Sequence, residues 1–203
     1  MHHFCLGSIA LAHVLLLPVA SAAAKDEWGV YGHDLGGTRY SPLTQITPEN
    51  VDRLKQVWEF HTGDFTRRSD GSVRSGFEAT PLLVGGRLVL TSAFNRIIAL
   101  EPATGRQLWA YDPKIKKAAP YGDGLINRGL AAWEDPTASG RTCGARLFEA
   151  TVDARLVAVD AKTGTPCTEF GVQGQVDLTE GVANYQPGLY HMTSPPIVLL
   201  RLA

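Results

Sequence analysis

Ile98-Ala99-Leu100-Glu101-Pro102-Ala103-Thr104-Gly105 recurs, position by position in character, as Val157-Ala158-Val159-Asp160-Ala161-Lys162-Thr163-Gly164. Each copy is a short apolar run, an acid, a turn and a Thr-Gly pair. The two glycines lie 59 positions apart (Gly105 to Gly164), a spacing that fits one four-stranded unit carrying an insertion. A further Thr-Gly closes His61-Thr62-Gly63, after Trp58. Four-stranded units repeated in this way indicate an all-β protein of the β-propeller kind, because each sheet is apolar on both faces and stacks against its neighbours. A β-sandwich with two similar turns is the alternative, and the repeat favours the propeller. Two to three such units fit in 203 residues, whereas a closed ring takes four to eight. The expectation is therefore a partial propeller that does not close by itself and that exposes an apolar sheet face.

The flanking sequence reads the same way. Thr80–Val84 and Arg87–Thr91 enclose Gly85-Gly86, a pair suited to the positive φ angles of a tight hairpin. Arg96–Leu100 and Gln107–Tyr111 flank the first repeated turn, and Arg146–Val152 and Leu156–Asp160 surround Asp153-Ala154. Gln56–Thr62 alternates apolar and polar residues, with Trp58, Phe60 and Thr62 on one face, and predicts a strand. The one helical signal is a single turn over Pro48–Leu54, with Thr47 as N-cap and Pro48 at the first helical position.

Composition limits the function classes. With 19 Lys+Arg against 20 Asp+Glu, no aggregate basic surface exists to neutralise nucleic-acid phosphates. The 21 glycines and 12 prolines match a fold of many short strands and turns. Ile9–Val19 is an apolar run too short to span a bilayer, and Ala20-Ser21-Ala22 follows it with small residues that a signal peptidase accepts. Residues 1–22 are expected to be a signal peptide, although its first residues carry His2 and His3 in place of Lys or Arg. Residues 23–203 are then the mature domain, periplasmic or secreted. Cys5 leaves with the signal. Cys143 and Cys167 remain as an even pair in an oxidising compartment, which points to a disulfide; two buried thiols are the alternative.

Trp28-Gly29-Val30-Tyr31-Gly32-His33-Asp34, Arg39-Tyr40-Ser41-Pro42-Leu43, Gln45-Ile46 and Asn50-Val51, followed by Leu54, Trp58, Phe60 and Thr62-Gly63, resemble the opening segment of the pyrroloquinoline quinone (PQQ) dehydrogenases of the glucose and alcohol dehydrogenase type. The resemblance runs from about Trp28 to Pro196. It implies part of an eight-bladed propeller with PQQ near the axis and a calcium ion beside it. It further implies oxidation of a sugar or alcohol, with electrons passed to a cytochrome or a membrane quinone.

Three positions match cofactor contacts of that family. Glu78, in Phe77-Glu78-Ala79-Thr80-Pro81, stands where the family places a carboxylate near the polar edge of the quinone. Arg128, in Asn127-Arg128-Gly129-Leu130-Ala131, would pair with a PQQ carboxylate through its guanidinium fork, and Gly129 permits close backbone approach. Thr193, in Met192-Thr193-Ser194-Pro195-Pro196, offers a hydroxyl to a carboxylate, as does Ser194. One departure stands out. Where methanol and ethanol dehydrogenases carry adjacent cysteines before the Asn-Arg-Gly motif, this chain has Gly122-Asp123, and where membrane glucose dehydrogenases use a histidine it has about Gly124. The Cys143 and Cys167 pair and the stretch Thr179–Tyr190 resemble the glucose dehydrogenase side, which points to a sugar or polyol.

Other chemistry lacks support. His33, His61 and His191 lack metal-ligand spacing, no glycine-rich loop joins a strand to a helix, and Ser41 and Ser139 sit in no nucleophile motif. The calcium ligands and general base of the family are expected beyond the end of this sequence. The tail after Pro196 reads as a frameshift or truncated gene, so the chain by itself is expected to be inactive. The rival reading is a non-catalytic periplasmic propeller scaffold, which has no reason to hold the Glu78 and Arg128 motifs.

Overall fold

The computed structural model describes residues 28–199. The signal peptide expected over residues 1–22 and the last four residues lie outside them. Two four-stranded antiparallel sheets make up the regular structure. The first runs β1 (Leu82–Val84), β2 (Arg87–Thr91), β3 (Ile97–Leu100) and β4 (Gln107–Tyr111), and the second β5 (Ala131–Glu134), β6 (Ala145–Ala150), β7 (Arg155–Asp160) and β8 (Gln175–Asp177). In both, spatial order follows chain order, so each is an up-and-down meander. They are two successive blades of a β-propeller.

Local chemistry sets the turns. Val84 pairs with Arg87 across Gly85-Gly86, and both glycines have positive φ, 53° and 72°, the geometry that matches the twist of the flanking strands. In the repeated turns the acid holds the loop from within. Glu101 accepts from the Ala103 N–H and the Thr104 hydroxyl, and Asp160 accepts from the Lys162 and Thr163 N–H groups. Burial opposes ionisation of Asp160, but bonds from the Cys143 N–H and from Thr163 outweigh it and hold the carboxyl below its usual range.

The glycine that ends each turn makes room for a tryptophan from the preceding strand unit. A Cβ on Gly105 would fall 2.5 Å from the Trp58 ring, and one on Gly164 would fall 2.4 Å from the Trp109 ring. Trp58 also donates its indole N–H to the Pro102 carbonyl at 3.0 Å. These dockings place one sheet against the next, so the repeated motif is an inter-blade joint as well as a turn.

Alternation along the strands then builds the core in layers. Leu82, Val89, Ile97 and Ala99 of the first blade meet Leu147, Val157 and Val159 of the second in one buried cluster. On the first blade's other face, Leu90, Ile98 and Leu100 are covered by Trp58 and Phe60. Cys143 and Cys167 form a disulfide and pack with Ala158, Phe148 and Phe170 on the second blade's other face.

Two sequence expectations change. Gln56–Thr62 is not paired into a sheet among the described residues. Its alternation survives in Trp58 and Phe60 facing inward while Val57 is 83% exposed. The helical signal shrinks to a 3₁₀ turn at Val51–Arg53, whose N-cap position is Asn50. Thr47 contributes its carbonyl, which accepts from the Asn50 and Val51 N–H groups, and the Asn50 side chain accepts from the Thr47 N–H.

Glu149 breaks the apolar pattern. It lies on β6, two residues after Leu147, fully buried, and neither carboxylate oxygen meets a donor among the described residues. Burial pushes its pKa well above the usual carboxyl range, with the Arg155 charge opposing and Asp153 adding to the rise. A group whose folded pKa is raised stabilises below its unfolded pKa, and that stability is lost as pH rises toward the folded pKa. Stability should therefore fall as pH climbs above the ordinary value of 4.5. Glu149→Leu should flatten this slope and add about 1–3 kcal/mol at neutral pH, the cost of an unsatisfied buried polar group. Urea unfolding of both forms between acid and neutral pH measures it; parallel pH profiles would refute the assignment.

Candidate functional site

The segments that lead into β1 and β5 and the stretch around Thr193 lie side by side. The Leu125 N–H donates to the Arg74 carbonyl at 2.7 Å, and the Gly76 N–H to the Leu125 carbonyl at 3.1 Å, closing a parallel bridge between Ser75 and Leu125. Farther along, the Thr80 N–H donates to the Arg128 carbonyl at 3.0 Å and the Arg128 N–H to the Thr193 carbonyl at 2.9 Å. Arg128 is thus the middle of three strands of backbone, with both of its main-chain groups bonded.

All three residues singled out in the sequence converge on its guanidinium. Nη2 lies 3.1 Å from Glu78 Oε2, and Nη1 donates to Thr193 Oγ1 at 2.6 Å. The Arg128 and Glu78 side chains are 36% and 43% exposed, so the cluster is open on one side. Thr193, not Ser194, makes the contact, and its own hydroxyl proton is left to point elsewhere because the oxygen acts here as acceptor. Gly129 has φ +142°, and a Cβ there would come within 3.4 Å of the Thr80 carbonyl. The glycine is thus required by conformation and by close approach.

The neighbouring loop explains the absent histidine. Gly124 has φ +80°, and a Cβ on it would fall 2.4 Å from the Arg74 carbonyl oxygen, so no side chain fits at that place. The loop is stitched down by the Arg74 guanidinium, which donates to the Lys117 and Ala119 carbonyls, and by the Tyr121 hydroxyl, which donates to the Lys116 carbonyl at 3.0 Å. Burial, with the Asp153 charge, pushes Tyr121 up to about 12, so its phenol keeps its proton at neutral pH. Asp123 reaches across from the loop to His191, 3.7 Å from Nε2, and the His191 ring packs edge-on against Tyr121 at 6.0 Å.

Sequence reasoning quoted Asn127 only as part of a motif and passed over Thr91. Both are buried, and they bond to each other, Thr91 Oγ1 donating to Asn127 Oδ1 at 2.8 Å. The signal that could have found them is a polar residue inside an otherwise apolar run, Leu125-Ile126-Asn127, since such a residue is buried only with partners.

Residues 28–202 match the family model described as "PQQ: Glucose/ethanol/alcohol dehydrogenase, beta-propeller domain". The chain belongs to this family. Among its curated relatives, the glycerol dehydrogenase large subunit of Gluconobacter thailandicus is 42% identical over 87% of this chain and 24% of its own length. Quinoprotein glucose dehydrogenase A of Acinetobacter calcoaceticus is 36% identical over 86% of this chain and 23% of its own length. Of solved structures, the quinohemoprotein alcohol dehydrogenase of Comamonas testosteroni superposes with a TM-score of 0.58 at 29% identity, covering 80% of this chain and 21% of that one. The chain therefore spans about a quarter of the length of these PQQ-family relatives, and its two blades form a partial propeller of the same kind. Among the described residues no helix is long and apolar enough to cross a membrane.

Proposed function

We propose that Glu78, Arg128 and Thr193 form one side of a PQQ site in a dehydrogenase that oxidises a sugar or polyol. The single observation that carries this reading is the convergence of the three residues, drawn from separate segments, on one half-exposed guanidinium. Their chemistry fits PQQ, a ligand with three carboxylates. Arg128 stays cationic at any working pH and offers N–H donors, and the Thr193 hydroxyl proton is a second donor beside it. Glu78 holds the guanidinium in place before a ligand arrives, so less side-chain entropy is lost on binding.

When bound, PQQ supplies the redox chemistry, accepting two electrons from the C–H–O–H unit of the substrate. The chain's own residues bind and orient. Arg128 sets the carboxylate edge, Thr193 fixes the in-plane direction, and the backbone at Gly129 approaches closely. Calcium does not fit these three residues, because such a cation takes six to eight oxygen ligands and the one carboxylate of the set is paired with Arg128. No step is drawn through it. The enzyme reading places the whole protein in the periplasm, with electrons leaving to a quinone or a cytochrome.

Fluorescence titration with PQQ tests the site directly. Arg128→Ala should weaken binding by about 10- to 100-fold, the equivalent of one charge-assisted hydrogen bond of roughly 1.5–3 kcal/mol. A propeller scaffold without cofactor would bind PQQ with neither sequence, and equal affinity in both would remove Arg128 from the site.

A further inference from the structure

We propose that Asn127 is the positioning residue of this site: its buried carboxamide, bonded to both blades and to the Gly129 amide, fixes the direction in which the Arg128 guanidinium leaves the backbone. The inference rests on Arg128 being the anion ligand proposed above.

A carboxamide offers an oxygen with two lone pairs and a nitrogen with two protons. Asn127 Oδ1 accepts from the Thr91 hydroxyl at 2.8 Å and from the Gly129 N–H at 2.9 Å. Its Nδ2 donates to the Ala150 carbonyl at 3.2 Å. Thr91 ends β2 of the first blade and Ala150 ends β6 of the second, so one side chain is clamped between two sheets. The third bond, to the N–H two residues on, closes a side-chain turn around Arg128.

This turn has a directional consequence. Leu125, Ile126, Asn127 and Leu130 are all buried, and Arg128 alone emerges from the run between them. Its own N–H and carbonyl are already held by Thr193 and Thr80. With the Asn127 side chain fixed as well, the Cα–Cβ bond of Arg128 has one direction, and its fork meets Glu78 and Thr193 together.

The residue type follows from the partners. Aspartate would keep the two accepted bonds but face the Ala150 carbonyl without a donor, and leucine would strand the Thr91 hydroxyl, the Gly129 N–H and the Ala150 carbonyl at once. A buried polar group is kept where every member of its network is satisfied.

The test uses the full chain and two readouts. The first needs no cofactor: the Nε–Hε resonance of Arg128 in ¹⁵N-labelled protein, assigned with Arg128→Lys. In Asn127→Ala it should move to the position of a solvated arginine, and in Thr91→Val it should move part of the way. The second is PQQ affinity in a double-mutant cycle. Asn127→Ala should weaken binding about 10-fold when Arg128 is present, as loss of a supporting partner does elsewhere. In the Arg128→Ala background it should weaken binding less than about twofold.

A purely structural Asn127 would cost the same affinity in both backgrounds and leave the Arg128 resonance in place, and either result overturns the proposal. Should the parent chain bind no PQQ, the cofactor reading fails, while the resonance still decides whether Asn127 orients Arg128. If Asn127→Ala does not fold, Thr91→Val, which preserves side-chain shape, gives the same decision.

Discussion

Gly164→Val is expected to destabilise the chain by about 3–5 kcal/mol, against much less for the same change at Gly63. Both glycines have positive φ, +73° and +72°, so both substitutions incur the left-handed backbone cost of roughly 1–2 kcal/mol. They differ in what the new Cβ meets. At Gly63 nothing lies within 4 Å, whereas at Gly164 three ring atoms of Trp109 lie at 2.4–3.0 Å. An indole ring wedged between two sheets has nowhere to retreat, and overpacking of this kind costs about 1–3 kcal/mol or more. The Trp109 ring comes from β4 and its seat from the turn after β7, so the clash pushes one blade off the other. Urea midpoints at constant m-value separate the two variants. Equal losses at both glycines would mean that the ring does not hold the blades together.

That joint marks the boundary of what the sequence shows. The repeated acid-x-x-Thr-Gly pattern is enough to place both meanders, because local chemistry alone dictates it: a carboxylate to hold the loop and a glycine for positive φ. Gly85-Gly86 is legible for the same reason. The second use of Gly105 and Gly164, as seats for Trp58 and Trp109, depends on contacts between distant segments and leaves no local trace.

Strands β5 and β8 are missed because Ala131–Glu134 and Gln175–Asp177 are too short to show a period. Gln56–Thr62 shows a period without having a sheet partner among the described residues. The site divides similarly. Resemblance supplies Glu78, Arg128 and Thr193 as three isolated positions, and only the backbone bonds between their segments reveal that two of them grip the third. Asn127 and Thr91 gain their meaning from partners on other strands. Glu149 reads as a polar residue on a strand surface and turns out to be enclosed.

Reduction of the Cys143–Cys167 disulfide should cost roughly 3 kcal/mol, the loop-closure value for its sequence separation of 24. The loss should be uneven. Cys143 is held independently, its N–H donating to Asp160 at 2.7 Å and its carbonyl accepting from Arg146 Nε at 2.7 Å. On the other side, the Cys167 N–H donates to the Ala158 carbonyl at 2.9 Å, and the Phe170 N–H to the Cys167 carbonyl at 2.8 Å. From there the chain passes through Phe170 and Gly174 into β8, the three-residue strand at the edge of the second blade.

The disulfide therefore pins the start of the segment whose end forms that edge, and reduction should free residues 166–177 first. Hydrogen exchange on the reduced, alkylated chain should show β8 amides losing protection while β6 and β7 keep theirs. The melting midpoint should drop by about 6–12 °C, taking 2–4 °C per kcal/mol for a chain of this size. Intact mass after alkylation without reduction should show neither cysteine labelled. Labelling of both would mean that the bond is absent in solution. Uniform loss of protection across β6–β8 would mean that it braces the whole blade and not its edge.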